Sequence, residues 1–140
     1  MNNGERILVV DDDEGIVKEF KRALESEDYQ VESAYSGEEA WEKYRQQQPV
    51  VVLTDYRMGG MSGIELAERI DKADPFTMVI LATAFGDEEN AVEAIHRHVF
   101  DYLRKPVDID ILIDTVKRAV TRANIYAKGK YAKGKNSSSG

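Results

Sequence analysis

The chain has 140 residues and no cysteine, with 42% hydrophobic and 32% charged residues. That fits one globular domain with a real core, and it excludes disulfides and thiolate metal sites. All 26 acidic residues precede Tyr126, against 15 basic ones there, so the body carries −11 while the segment after it holds Lys128, Lys130, Lys133 and Lys135. An acidic body argues against nucleic-acid binding by that body. No apolar run reaches membrane-span length and Met1-Asn2-Asn3-Gly4 is no signal peptide, so a cytoplasmic protein without membrane attachment is expected.

The first strand is read at Arg6–Val10, running into Asp11-Asp12-Asp13-Glu14. Acids there suit a helix start, and Ile16, Phe20 and Leu24 repeat at helical spacing. Tyr29 to Ala34 alternates as a second strand, and Ser36 with Glu39 makes a capping-box pattern for a helix whose stripe is Ala40, Trp41 and Tyr44. Val50 to Asp55 is an apolar, β-branched run that ends on a carboxylate. Such a run reads as a strand buried on both faces. The glycines of Arg57–Gly63 make a loop, and Ile64, Leu66, Ala67 and Ile70 a helix ending near Asp74-Pro75. A fourth strand spans Thr77–Ala82 with Thr83-Ala84 at its tip. A fourth helix opens at Asp87 or Glu88 with Ala91, Val92, Ala94 and Ile95 inward, and a fifth strand runs from Val99 to Leu103 into Arg104-Lys105-Pro106. Asp108 caps a last helix with Ile109, Leu112, Ile113, Val116 and Val120 as its apolar face.

Strands alternating with helices imply right-handed crossovers and a mostly parallel sheet covered on both faces. Ligands of such sheets sit at the strand carboxyl ends. Asp11, Asp12, Asp55, Thr83 and Lys105 all belong to that edge.

Ile7-Leu8-Val9-Val10-Asp11-Asp12, Leu53-Thr54-Asp55-Tyr56-Arg57-Met58 with Gly63, Thr83-Ala84, and Asp101-Tyr102-Leu103-Arg104-Lys105-Pro106 together resemble the receiver domain of two-component response regulators. The resemblance covers a domain of residues 5–125. It implies the flavodoxin-like α/β fold with strand order 2-1-3-4-5. It also implies that Asp55 accepts a phosphoryl group from a sensor histidine kinase or phosphotransfer protein. By the same resemblance Thr83 and Tyr102 are switch residues, and the face of the fourth helix, fifth strand and last helix is the output or homodimer surface. The resemblance also implies that Arg57 and Phe85 flank the approach of water to the phosphoryl group, and neither is suited to be a general base.

Clustered carboxylates raise one another's pKa unless a cation joins them. Mg²⁺ favours such oxygen donors. The expected ligands are Asp12 and Asp55, Asp11 directly or through water, and the Arg57 backbone carbonyl. Lys105 and the Thr83 hydroxyl are then expected on the phosphoryl oxygens, while Asp13 is a helix cap. Two rival readings stand beside this one. An aspartyl-phosphate phosphohydrolase would need a second acid two residues on, where Asp55-Tyr56-Arg57 has none. A receiver-like interaction module that is not phosphorylated should have lost a key residue, and none is lost. The reading is therefore a phosphoacceptor rather than an enzyme acting on a separate substrate, either a single-domain regulator or an excised receiver.

Two positions depart from the family pattern. Gly59 stands where Pro is usual, which points to a looser loop, and His98 stands where Gly is common, which would strain a positive φ. The tandem Tyr126-Ala127-Lys128-Gly129-Lys130 and Tyr131-Ala132-Lys133-Gly134-Lys135, followed by a serine run, predicts a flexible, non-helical basic tail over 126–140.

Overall fold

The computed structural model describes residues 4–84 and 98–139, with side chains through Ala127. Its elements are β1 (Arg6–Val10), α1 (Glu14–Glu25), β2 (Gln30–Ala34), α2 (Gly37–Gln47), β3 (Val51–Asp55), α3 (Gly63–Ala73), β4 (Met78–Thr83), β5 (Asp101–Arg104) and α4 (Ile109–Ser139). The sheet is parallel throughout with order β2-β1-β3-β4-β5, the flavodoxin-like order expected. The fourth helix predicted at Asp87 or Glu88, like Phe85, lies outside the described residues.

β1, β3 and β4 are central and covered on both sides, so they are apolar at successive positions rather than alternately. Every residue of β3 and β4 is buried. Ile7, Val9, Val51, Leu53 and Ile80 face α1 and α4, meeting Phe20, Leu24, Leu112 and Val116. Leu8, Val10, Val52 and Val79 face the other way, onto Ala40, Tyr44, Leu66 and Ile70 of α2 and α3. The edge strand β5 instead alternates, with Leu103 buried and Tyr102 and Arg104 exposed.

The helix starts follow local chemistry. The Asp13 side chain accepts from Gly15 N and Ile16 N, Ser36 from Glu39 N, and Ser62 from Glu65 N. Each satisfies amides that the first turn leaves without a helical partner. Asp108 does the same for Asp110 N and Ile111 N at the head of α4. The capping box at α2 closes one residue early, since Glu39 Oε1 accepts from Tyr35 N rather than from Ser36 N.

The structure departs from the sequence reading at two places. β5 begins at Asp101, so Val99 and Phe100 precede it; Phe100 N still donates to Val79 O at 2.7 Å, but the ladder starts with Ile80 opposite Asp101. α4 continues through Ser139, across the segment whose glycines predict no helix. Ala and Lys are strong helix formers, and one Gly in five costs only about 1 kcal/mol each time. His98 needs no left-handed backbone: Asp28 and Gln48 are the described non-glycine residues with positive φ. Its ring nitrogen instead meets Asp71 Oδ2 at 3.0 Å.

Candidate functional site

The sheet register assembles one edge. Val10 pairs with Thr54, so Asp11 emerges beside Asp55, the last residue of β3. Asp55 in turn lies opposite Ala82, and Thr83 opposite Arg104, which sets Lys105 just past the end of β5. Lys105 N donates to Thr83 O at 2.8 Å, fixing the start of the Lys105-Pro106 segment, whose peptide bond is cis.

The Lys105 ammonium bridges two carboxylates, 2.8 Å from Asp11 Oδ2 and 3.0 Å from Asp55 Oδ1. Asp11 is buried and its other oxygen accepts from Asp13 N at 2.9 Å. Carboxylate oxygens of Asp11, Asp12 and Asp55 all lie within 4.8 Å of one another. Burial pushes the Asp55 carboxyl above its usual range; the Lys105 hydrogen bond opposes this and the Asp11 charge adds to it. Burial would depress the Lys105 ammonium, but its bonds to Asp11 and Asp55 outweigh that and hold it above its ordinary value. Three carboxylates against one bridging ammonium leave a negative cluster of hard oxygen donors. That donor set fits a divalent cation such as Mg²⁺, which favours carboxylate oxygens.

Thr83 sits at the tip of β4, fully buried, and its hydroxyl has no hydrogen-bond partner among the described residues. An orphaned buried hydroxyl is uncommon and calls for an explanation. Tyr102, the other expected switch residue, is 41% exposed on β5, so its ring is outward in this conformation. Arg57 follows Asp55 on the surface, its guanidinium 5.3 Å from the Tyr56 ring centroid. Asp13 caps α1 and takes no part in the cluster, as its position after the first two acids predicts.

The loop after Asp55 returns tightly. Gly63 N donates to Tyr56 O at 2.8 Å, and a Cβ on Gly63 would stand 2.1 Å from the Asp55 carbonyl oxygen. Only glycine permits that approach. Gly59 is different: a Cβ there would meet nothing within 4 Å. Glu38 of α2 reaches the same loop, accepting from Met61 N at 3.1 Å. The sequence reading missed Glu38, because an acid in a first helical turn has a sufficient reason to be there already.

A family model described as the response regulator receiver domain matches residues 7–117. Among curated relatives, the transcriptional regulatory protein GlrR of Escherichia coli (strain K12) is 38% identical over 117 residues, 84% of this chain and 26% of the relative. The DNA-binding transcriptional regulator NtrC of the same strain is 38% identical over 115 residues, 82% of this chain and 24% of the relative. The chain thus spans about a quarter of the length of these relatives. A solved receiver domain from Clostridium thermocellum superposes with a TM-score of 0.83 at 33% identity, covering 87% of this chain and 98% of that one. With the acidic cluster and Lys105 at the carboxyl edge of a 2-1-3-4-5 sheet, these matches establish that the chain belongs to the response regulator receiver domain family.

Proposed function

We propose that this domain is a phosphoacceptor, with Asp55 receiving a phosphoryl group from a phosphohistidine of a sensor histidine kinase or phosphotransfer protein. The observation that carries the reading is the setting of Asp55: a carboxylate at a strand end, bonded to Lys105 and clustered with Asp11 and Asp12. An Asp55 oxygen attacks phosphorus, the P–N bond to the imidazole breaks, and the released histidine nitrogen keeps the electron pair. Little covalent chemistry is left to the acceptor protein, so positioning and charge neutralisation carry the rate.

Lys105 is placed to follow the charge as it develops, since its ammonium already reaches Asp55 and would donate to a phosphoryl oxygen there. The Thr83 hydroxyl supplies a second donor; a phosphoryl oxygen would give it the acceptor that it lacks among the described residues. Asp11, Asp12, Asp55 and the Arg57 carbonyl would hold Mg²⁺. Bound there, the cation would offset the charge of the carboxylates and of the incoming phosphoryl group.

Movement of Thr83 toward the phosphoryl group, followed by the Tyr102 ring, is the switch we assign, a shift between two packings biased by the new contacts. The signal would leave through the face of β5, the segment before it and α4. Arg57, which has no acceptor to orient water, and Phe85 would flank the phosphoryl group and slow its hydrolysis. No described helix is long and apolar enough to cross a membrane, and the domain is read as acting in the cytoplasm.

Acetyl phosphate with Mg²⁺ should add one phosphoryl group to the wild-type protein, read by intact mass spectrometry, and none to Asp55→Asn. An equal adduct in that variant would overturn the assignment.

A further inference from the structure

Glu38 is exposed on the first turn of α2, 17 positions before Asp55, yet its carboxylate is applied to the loop that follows Asp55. Oε2 accepts from Met61 N at 3.1 Å. A Cβ built on Gly60 would come within 2.7 Å of the same oxygen, so carboxylate and backbone are in direct apposition. Gly60 has φ +78, a conformation that costs glycine little and other residues more. The preceding helix residue is equally close, since a Cβ on Gly37 would stand 2.7 Å from both Met61 Cβ and Met61 O. The Met61 side chain is buried in the core beneath α2 and α3.

The loop therefore has a fixed far end and a weak middle. Met61 and Gly63 are tied down, by Glu38 and by Tyr56 O. Gly59, between them and Arg57, is open where a Cβ would stand, and glycine admits backbone conformations that other residues resist. A charge-assisted bond at Met61 is the stronger kind, and it acts two residues past the most permissive position of the loop.

We propose that Glu38 is a positioning residue for the phosphoacceptor site, fixing through the Met61 amide the loop that carries the Arg57 carbonyl. The proposal rests on the reading of Asp55 and Mg²⁺ given above. Glu38 touches neither the phosphoryl group nor the cation. It sets the conformation from which the loop can supply its carbonyl, so losing it makes each binding event restore the loop at its own expense.

The test compares wild type, Glu38→Ala, Glu38→Gln and Glu38→Ala with Gly59→Ala. The Mg²⁺ dissociation constant is read from amide NMR shifts, phosphorylation by acetyl phosphate from mass spectrometry, and the fold from the urea midpoint. Glu38→Ala should bind Mg²⁺ about threefold to tenfold more weakly, the scale of one hydrogen bond. Glu38→Gln keeps an acceptor oxygen but not its charge and should lose clearly less than Glu38→Ala, and Gly59→Ala should recover part of the loss by narrowing the loop's freedom. If Glu38→Ala matches wild type while wild type binds Mg²⁺ and is phosphorylated, the positioning role fails and the phosphoacceptor reading stands. If Gln is as weak as Ala, the charge and not the bond is responsible, and the proposal fails. A wild type that neither binds Mg²⁺ nor is phosphorylated overturns both.

Discussion

Lys105 and Asp11 are separated by 94 positions in the chain, and the lysine ammonium donates to Asp11 Oδ2 at 2.8 Å. Asp55 shares the same ammonium at 3.0 Å. One cation thus ties the ends of β1, β3 and β5 together and offsets part of the charge that Asp11 and Asp55 carry.

Lys105→Met keeps the unbranched chain and removes the charge. Asp11 and Asp55 would then face each other without compensation. The metal-free protein should lose about 1–3 kcal/mol of stability, the cost of stranding buried polar groups. Mg²⁺ should restore much of it, since at about ten times its dissociation constant a ligand adds about 1.4 kcal/mol. Urea unfolding with Mg²⁺ and with chelator measures both; a variant as stable as wild type in chelator would contradict the expectation.

Asp55→Asn bears on pH. The Asp55 carboxyl is raised above 3.8 in the fold, chiefly by burial. A raised folded pKa means the native state holds its proton more tightly than the unfolded chain. The associated stability is complete below 3.8 and is lost as pH rises through the folded value. Ionised Asp55 therefore weighs against the metal-free fold at neutral pH, and Asn does not. The variant should be the more stable of the two in chelator at neutral pH, with the difference shrinking as pH falls toward 3.8. A difference that grows on acidification would reverse the sign assigned here.

Two glycines in one loop should respond in opposite ways. Gly63→Ala places a Cβ 2.1 Å from Asp55 O and 2.9 Å from Leu81 Cδ1. The backbone must move, at a cost of about 1–3 kcal/mol or more, and Asp55 moves with it, so phosphorylation should fall too. Gly59→Ala meets nothing and should change stability by no more than about 1 kcal/mol, in the stabilising direction. Thermal unfolding of the two single variants checks this directly.

The end of α4 invites a backbone measurement. Ala123 is the last buried residue whose side chain is described, and residues 124–127 are exposed. Helices without tertiary packing are marginal in water, and Gly129 and Gly134 weaken this one further. Amide hydrogen exchange should show firm protection through Val120 and rapid exchange from about Lys128 onward, consistent with a basic tail over 126–140. Protection across Tyr131–Lys135 equal to that at Val116 would show that the tail is held by something.

The chain's own pattern determined the order and faces of the elements. Apolar runs at Ile7–Val10 and Val50–Leu53, helical repeats such as Ile64, Leu66, Ala67 and Ile70, and cap residues Asp13, Ser36 and Asp108 are local signals, written within a turn or a strand. A parallel sheet with short crossovers leaves few ways to connect them, so Asp11, Asp55, Thr83 and Lys105 could be assigned to one edge before any distance was known. The start of β5 was not legible: Val99 and Phe100 have strand-like side chains, but pairing with β4 decides where the ladder begins. Nor was Glu38 legible, because its role depends on α2 and the 57–62 loop meeting in space, and nothing in the spacing of residues along the chain encodes that contact. Local propensity and periodicity are properties of neighbours in sequence. The bridge from Lys105 to two carboxylates arises only when strands far apart in sequence are brought within a few ångströms.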